Sequence, residues 1–231
     1  EILEMIAASL PRLSLLVCAM VLAACSNQRS SENVFTVTKR VIEQRRVKPA
    51  VPDPQVVQAV AIDALAKTTG PVLLYQLEDR KAVAILRPIA QNGAYQTWAA
   101  YGSSERLSAT TLNGVLVSTR GLGNDLMSSR VEPLLEVVAR REDGVATIQQ
   151  RYLDGENQIV NLKSDCKITR GETEMLASVS GSVPAVRMTA ECWQADRSVE
   201  NSYLVDANGA VVQSRHWAGP TMGYSTIQRL R

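Results

Sequence analysis

The chain has 231 residues, of which 45% are hydrophobic and 21% are charged. This composition supplies one substantial core and is ordinary for a globular protein, which excludes collagen, a coiled coil and wholesale disorder. The formal net charge of +2 is too balanced to predict a polyanionic partner. A single histidine, His216, leaves little scope for histidine-based metal sites, and no metal or cofactor is expected.

The N-terminal segment indicates export. Arg12 precedes a run of about ten apolar residues that ends at Leu22, and small residues follow, which is typical of a secretory signal. The run is too short to span a bilayer, which takes about 20 apolar residues. We expect residues 1–24 to be a signal peptide, with residues 1–4 extraneous because Met5 would make a good start.

The signal ends in Leu22-Ala23-Ala24-Cys25, which resembles the lipobox of bacterial lipoproteins. The resemblance implies that the Cys25 thiol receives a diacylglycerol, that cleavage precedes it and that its new amine is acylated. Several acyl chains anchor firmly, because each buried methylene contributes about 0.8 kcal/mol. Ser26 follows the cysteine where aspartate favours inner-membrane retention, so the resemblance implies the outer membrane. Residues 25–33 are then the lipidated cysteine and a polar tether.

Two further cysteines of the exported part, Cys166 and Cys192, are candidates for a disulfide. Export places them in an oxidising compartment, where disulfides persist. The alternative is a pair of buried free thiols.

One or two helices are predicted before the strands begin. A weak helical pattern covers residues 34–47. A clearer helix follows Asp53, a good N-cap, with Pro54 in the first turn and Gly70-Pro71 as its stop. This second helix is expected to plug or cover the sheet that follows.

From residue 72 the pattern changes to short β-branched runs separated by turn residues. Asn92-Gly93 and Asn113-Gly114 predict type I′ hairpins. Short links exclude a parallel sheet, so we predict a mainly β fold in which a large antiparallel meander forms a barrel or a two-layer sandwich. Residues 34–231 are taken as a single β-rich domain. Strands are predicted near residues 72–78, 81–90, 94–101, 105–111, 114–120, 132–140, 144–153, 157–168, 172–179, 184–194, 198–206, 210–217 and 223–230, with a break at 121–130.

Several residue groups are candidates for chemistry, and each has a simpler structural interpretation that we prefer. Gly121–Asp125 lacks the third glycine and the βαβ unit of a phosphate-binding loop. Ser214 and His216 lie two apart on a predicted strand but lack the third group of a triad. Paired carboxylates can hydrolyse glycosides, yet nothing marks their burial or an aromatic sugar platform. The carboxylate pairs are Glu172 with Glu174 and Asp154 with Glu156.

Two parts of the chain carry a resemblance to a known family: residues 112–126 in the middle, and residues 199–206, 208–209, 213–220 and 223–224 near the C-terminus. The C-terminal segments resemble the closing hairpin of the YjbF/GfcB lipoproteins of exopolysaccharide and group 4 capsule systems. The middle stretch and the lipobox resemble theirs as well, and Leu204 departs from the aromatic residue expected in relatives.

The resemblance implies an outer-membrane lipoprotein on the periplasmic face, non-enzymatic, that assists production or export of an extracellular polysaccharide. Its expected partners are outer-membrane lipid through Cys25, polysaccharide export proteins and the polysaccharide itself, but no nucleic acid. Scattered arginines are candidate contacts to an acidic glycan, although such residues more often solvate a surface. They are Arg120, Arg130, Arg140, Arg141 and Arg151.

Two alternatives stay open. A periplasmic lipid or lipoprotein carrier needs an open apolar concavity. A glycan hydrolase or lyase would depend on Glu172 or Glu174.

Overall fold

The computed structural model describes residues 52–100, 107–156, 158–178, 181–195, 197–219 and 221–231, all within one compact unit, Pro49–Arg231. The signal peptide, Cys25, the tether and the helix predicted over 34–47 lie outside the described residues.

Two helices and twelve strands make up the regular structure of the described residues. The helices are α1, Pro54–Lys67, and α2, Glu132–Arg140. The strands are β1 Leu73–Leu77, β2 Ala82–Asn92, β3 Tyr95–Ala100, β4 Ser108–Leu112, β5 Val115–Arg120, β6 Leu126–Arg130, β7 Gly144–Leu153, β8 Ile159–Ser178, β9 Gly181–Trp193, β10 Ser198–Val205, β11 Val211–Trp217 and β12 Tyr224–Arg229.

All twelve strands form one antiparallel sheet in the order β5-β4-β3-β2-β1-β12-β11-β10-β9-β8-β7-β6. The edge strands β5 and β6 contact each other without joining the hydrogen-bond ladder, so the sheet curls into a nearly closed barrel. The predicted mainly β antiparallel meander is therefore confirmed, and of the two predicted arrangements the barrel is the one observed. Neither described helix combines the length and apolarity needed to cross a membrane.

The two hairpin turns predicted from Asn-Gly pairs each contain a glycine with positive φ. Asn113 and Gly114 both have positive φ, 44° and 79°, as a type I′ turn requires. The β2–β3 turn is shifted by one residue: Asn92 pairs with Tyr95, so Gly93 and Ala94 are its central residues, and only Gly93 has positive φ.

The barrel interior is filled by alternate residues of the strands. The alternation is clearest at residues 164–168 of β8, where Ser164, Cys166 and Ile168 are buried and Asp165 and Lys167 are exposed, as the period of two requires. The core runs continuously from β1 to β12. Its residues with less than 2% exposure include Tyr75, Leu86, Leu116, Ile168 and Met188.

Helix α1 covers the outer side of the sheet, as predicted. The Asp53 carboxylate accepts a hydrogen bond from the Gln55 backbone N–H at 2.9 Å and so caps the helix. Ala64 packs with Leu74 of β1 and Leu230 after β12 in a cluster separate from the main core. The opposite side of the helix faces solvent.

The prediction of a strand over residues 132–140 is wrong, because these residues form helix α2. The run of β-branched and leucine residues there was interpreted as a strand, but its buried residues are Leu134, Leu135 and Val138. This spacing is helical, because neighbouring residues of a strand would point to opposite faces. Arg141 ends the helix in the left-handed conformation, at φ 57°.

Two strand boundaries also differ from the prediction. Residues 157–168 and 172–179 were predicted as two strands, but β8 runs through both and pairs with β9, with a register shift between Arg170 and Thr173. Gly171 marks the irregularity, which bends the strand without ending it. The predicted break at 121–130 contains β6, which begins directly after the glycine-rich loop.

Candidate functional site

Six polar side chains form two rows across the outer surface of β6, β7 and β8. In the first row Gln149 pairs with both Arg130 and Lys163, and in the second Arg151 pairs with Asn161 and lies opposite Ser128. All six side chains are exposed and line a depression of about 540 Å³. We call these residues the cationic face: Ser128, Arg130, Gln149, Arg151, Asn161 and Lys163.

The cations of this face have few partners within the protein. Among the described residues, no hydrogen bond or ion pair engages the guanidinium of Arg151. Within the part of the chain that the structure describes, the Arg130 guanidinium has a through-space attraction to Glu132 and no hydrogen bond or ion pair. Lys163 Nζ lies 3.7 Å from Asp165 Oδ1, and both of these side chains are about two-thirds exposed. The face therefore keeps most of its capacity to bind anions.

One carboxylate stands at the margin of the depression. Glu132, the first residue of α2, accepts a hydrogen bond from the Tyr95 hydroxyl at 2.8 Å. Its own backbone N–H, followed by the tyrosine hydroxyl, holds the pKa of this carboxyl below its usual value. The lining of the depression therefore carries three cations and one anion.

Trp193 lies beside this face at the end of β9. It pairs with Asp165 of β8, which is the next outward residue after Lys163. Its side chain is 46% exposed, whereas Trp98 and Trp217 are 7% and 8% exposed. Trp193 was not among the functional residues predicted from the sequence. Alternation placed Cys192 inward, and this was the signal that Trp193 points outward.

The five arginines named from the sequence divide into two groups. Arg130 and Arg151 share the cationic face. The others hold structure: Arg120 donates to the backbone oxygens of Thr119 and Leu126 across the edge strands, Arg140 pairs with Glu142, and Arg141 donates to Asp206 O.

The residues of a second charged cluster pair with one another. Arg215 donates to both carboxylate oxygens of Glu78, at 2.8 and 2.7 Å, and its guanidinium lies 3.9 Å from the centre of the Tyr224 ring. Thr226 donates to the same carboxylate at 3.0 Å. Since the charges are matched and both oxygens of the Glu78 carboxylate accept hydrogen bonds, this cluster stabilises the barrel and offers little to a ligand.

The glycine-rich loop does not bind phosphate in this geometry. The Asp125 carboxylate accepts hydrogen bonds from the backbone N–H groups of Gly121 and Leu122 and from the Thr119 hydroxyl. The donors that a phosphate-binding loop would offer are therefore occupied by an anion of the protein itself. The loop interpretation preferred from the sequence agrees with this arrangement.

Ser214 and His216 do not act as a pair. Both are buried, and the Ser214 hydroxyl donates to Gly114 O at 2.9 Å. His216 Nε2 lies 3.4 Å from the Ser225 hydroxyl. Burial lowers the pKa of His216 to about 4, against an attraction to Glu78, so the imidazole is neutral at physiological pH.

The carboxylate pairs are also engaged. Both oxygens of Glu174 accept hydrogen bonds from Arg187, which lowers the pKa of this carboxyl. Asp154 accepts from the backbone of Glu156 and Gln158 and so shapes the β7–β8 turn. Glu172 is exposed. No group of three or more metal-ligating side chains occurs in the part of the chain that the structure describes.

The predicted disulfide is present. Cys166 of β8 and Cys192 of β9 are directly opposite each other, with their Cα atoms 4.0 Å apart and their side chains in the core. Asn201 Nδ2 lies 3.6 Å from Cys192 Sγ, and Asn201 Oδ1 accepts from the Trp217 backbone N–H. The bridge therefore sits within an ordered part of the interior.

One mouth of the barrel holds a cavity of about 680 Å³. Its apolar lining includes Leu73, Ile227 and Leu230, whose exposures are 2%, 1% and 5%. Polar and charged residues, among them Gln96, Asn113 and Arg229, share the lining with them, so the cavity is not a continuous apolar concavity. The lipid-carrier alternative gains no support from it.

The fold and its surface define a class of protein, a single-sheet β-barrel with a cationic outer face. The chain belongs to the YjbF family, described as the group 4 capsule polysaccharide lipoprotein GfcB, which it matches over residues 31–230. The resemblance noted in the sequence is thereby confirmed.

A solved structure shares the fold. The hypothetical lipoprotein YmcC from Escherichia coli K12 superposes with a TM-score of 0.63 at 16% identity, over 88% of this chain and 98% of that chain. A candidate exported protein with a YmcC-like fold from Bacteroides fragilis is 10% identical, over 70% of this chain and 93% of that chain, with a TM-score of 0.27. Comparison with the curated proteins gives no match.

Proposed function

We propose that this protein is an outer-membrane lipoprotein on the periplasmic face that assists production or export of an extracellular or capsular polysaccharide without being an enzyme. The observation that carries the proposal is the family match over residues 31–230, because the family is described as a capsule polysaccharide lipoprotein. Export proteins and the polysaccharide are the proposed partners.

The anchor is the acylated Cys25. The lipobox supports this assignment, and Ser26 after the cysteine favours the outer membrane over the inner one. A polar tether of residues 26–33 gives the barrel reach from the membrane surface.

The non-enzymatic role is supported by what the candidate catalytic groups do. Glu174 is ion-paired with Arg187, His216 is buried and neutral, and the Ser214 hydroxyl is used by the backbone of a turn. A glycosidase needs one protonated and one ionised carboxyl flanking the scissile bond. The arrangement of Glu174 with an arginine does not provide the protonated member.

Deletion of the gene tests the proposal. We expect secreted polysaccharide to fall, to be restored by the wild-type chain, and to stay low with Cys25→Ala, which removes the acylated thiol. Membrane fractionation with labelled palmitate checks the anchor directly. Unchanged secretion in the deletion strain contradicts the role, and an unlabelled wild-type chain outside the membrane fraction contradicts the anchor.

A pull-down from detergent-solubilised outer membrane, with the deletion strain as control, identifies the partner. Recovery of an export protein supports docking on the export assembly, and recovery of polymer supports direct contact with the glycan.

A further inference from the structure

The cationic face carries a geometric arrangement of charge that a linear anion can match. Arg130 and Lys163 occupy one row on strands two apart, so their backbones are about 10 Å apart. Arg151 lies in the next row on the strand between them, about 8 Å from each. The three cations therefore form a triangle spread over a surface rather than a pocket for a single ion.

Neutral hydrogen-bonding groups fill the positions between the cations. Gln149 separates Arg130 from Lys163, and Ser128 and Asn161 flank Arg151. An amide both donates and accepts, and so does a hydroxyl, which is the combination that sugar hydroxyls require. An unpaired guanidinium adds five N–H donors that fit a carboxylate in a bidentate manner.

Trp193 adds an aromatic surface next to the cations. Its exposed indole lies on β9 diagonally across from Lys163 of β8. The C–H face of a pyranose ring packs against such a ring, and the large rigid side chain loses little entropy on binding. Charge, amides and an aromatic platform thus follow one another across four strands.

From these observations we infer that the cationic face and Trp193 form a binding site for a chain of acidic sugars. The inference rests on the proposed function for its polysaccharide context. Three cations against two carboxylates, Glu132 and Asp165, leave a net positive charge that complements a polymer with a carboxylate in its repeat. All six residues of the cationic face are polar or charged, whereas membrane docking inserts apolar side chains.

Titration of the full chain in detergent with alginate, a polymer of uronic acids, tests the inference. The variant Arg130→Gln/Arg151→Gln/Lys163→Gln, which removes all three cations, should bind alginate about tenfold more weakly or worse. A tenfold change in affinity requires only a modest loss of binding free energy from each of the three contacts. Added salt should weaken binding by the wild-type chain. Dextran, which is neutral, should bind weakly.

A matched control removes the same charge elsewhere. Lys67→Gln/Lys81→Gln/Arg229→Gln takes three exposed cations from α1, the β1–β2 turn and β12. Its affinity for alginate should stay within about twofold of wild type, because general attraction between opposite charges is screened over a Debye length of about 10 Å. Equal losses in the two triple variants would show general electrostatic attraction and overturn the site.

Trp193 provides a second, independent measurement. It is the exposed one of the three tryptophans, so alginate should change the tryptophan emission of the wild-type chain. Trp193→Phe should keep most of the affinity, and Trp193→Ala should lose several-fold of it. Binding with no change in emission and no effect of Trp193→Ala removes the tryptophan from the site.

The remaining outcomes also decide the matter. Absent binding of alginate, equal binding of dextran, or stronger binding of the unacylated Cys25→Ala chain to phosphatidylglycerol vesicles than to alginate overturns the inference. Failure of the inference is distinct from failure of the proposed function: if deletion lowers secretion but the triple variant of the cationic face restores it fully, the function stands and the site does not.

Discussion

His216 shows how burial decides the role of a single residue. It is the only histidine of the chain, and it lies inside the barrel with 4% exposure. Its Nε2 faces Ser225, and the surrounding charges are Glu78, which favours the imidazolium, and Arg215, which opposes it. Desolvation outweighs both and makes this residue a structural group of the interior.

The buried imidazole predicts acid sensitivity. The pKa of His216 is about 4 in the folded state against 6.5 for an exposed imidazole. Between pH 6.5 and about pH 4 the imidazole is protonated in the unfolded chain but neutral in the folded chain. The free energy of unfolding therefore falls as the pH is lowered through this range. His216→Gln should remove about 2 kcal/mol of the loss in free energy of unfolding between pH 7.5 and pH 5.

Urea unfolding at the two pH values measures this difference. Ser225→Ala is the matched control, because it alters the neighbour and keeps the imidazole, and it should retain the pH dependence of the wild type. The same pH dependence in His216→Gln would contradict the assignment.

The disulfide gives a second prediction at the residue scale. Cys166 and Cys192 are separated by 26 positions and are bonded inside the core. Cys166→Ala/Cys192→Ala should lower the free energy of unfolding by about 3 kcal/mol, mainly because the unfolded chain gains freedom. Reduction of the wild-type chain should produce a similar loss, measured by denaturant unfolding. Thiols that alkylate without prior reduction would contradict the bridge.

At the scale of elements, α2 is where local pattern and tertiary context disagree. Its sequence contains adjacent valines at 137 and 138, which favour a strand, but Glu132-Pro133 suits a helix start. The buried side is set by Leu134, Leu135 and Val138, which belong to the main core, and the helix contacts mainly β7.

Substitutions along α2 distinguish the helix from the strand that the sequence predicted. Leu134→Ala and Leu135→Ala should both cost about 2–5 kcal/mol of stability, because both side chains are buried. Glu136→Ala, on the exposed side, should change it by less than about 0.5 kcal/mol. Thermal unfolding measures all three, and a cost at Leu134 without one at Leu135 would favour a strand.

At the scale of the whole molecule, the barrel is held by contacts between strands that are distant in the sheet. The β4–β5 turn reaches β11, six strands away in the sheet order. Asn113 donates to Gly209 O at 3.0 Å, and Gly114 accepts from the Ser214 hydroxyl. A Cβ added to Gly114 would lie 2.1 Å from Val211 O, so the backbones touch only because this residue is glycine.

Alanine substitutions at two glycines with positive φ distinguish the cost of breaking this contact from the cost of backbone strain alone. Gly114→Ala and Gly93→Ala both place a side chain at positive φ, which costs about 1–2 kcal/mol in each case. Gly93 has open space around its Cβ position. Gly114→Ala should therefore lose at least about 1 kcal/mol more in denaturant unfolding. Equal losses would mean that the β4–β5 turn does not press on β11.

The sequence alone determined the strand-rich pattern, the antiparallel meander, the α1 cap at Asp53 and the family, because these depend on residues that are near one another along the chain. The disulfide between the two cysteines was predicted from export to an oxidising compartment, with free thiols as the alternative that the structure excludes. The sequence did not determine which two residues lie at the centre of the β2–β3 turn, because the register between β2 and β3 depends on both strands together.

Only the tertiary structure decided between barrel and sandwich, because closure depends on contacts such as Gly114 with Val211 that no local pattern encodes. It also decided which arginines share a surface. Arg130 and Arg151 are 21 residues apart in sequence, and the pairing of β6 with β7 places them on one surface. Arg120 of β5 instead donates a hydrogen bond to Leu126 O of β6. Register across the sheet, a non-local property, is the physical reason.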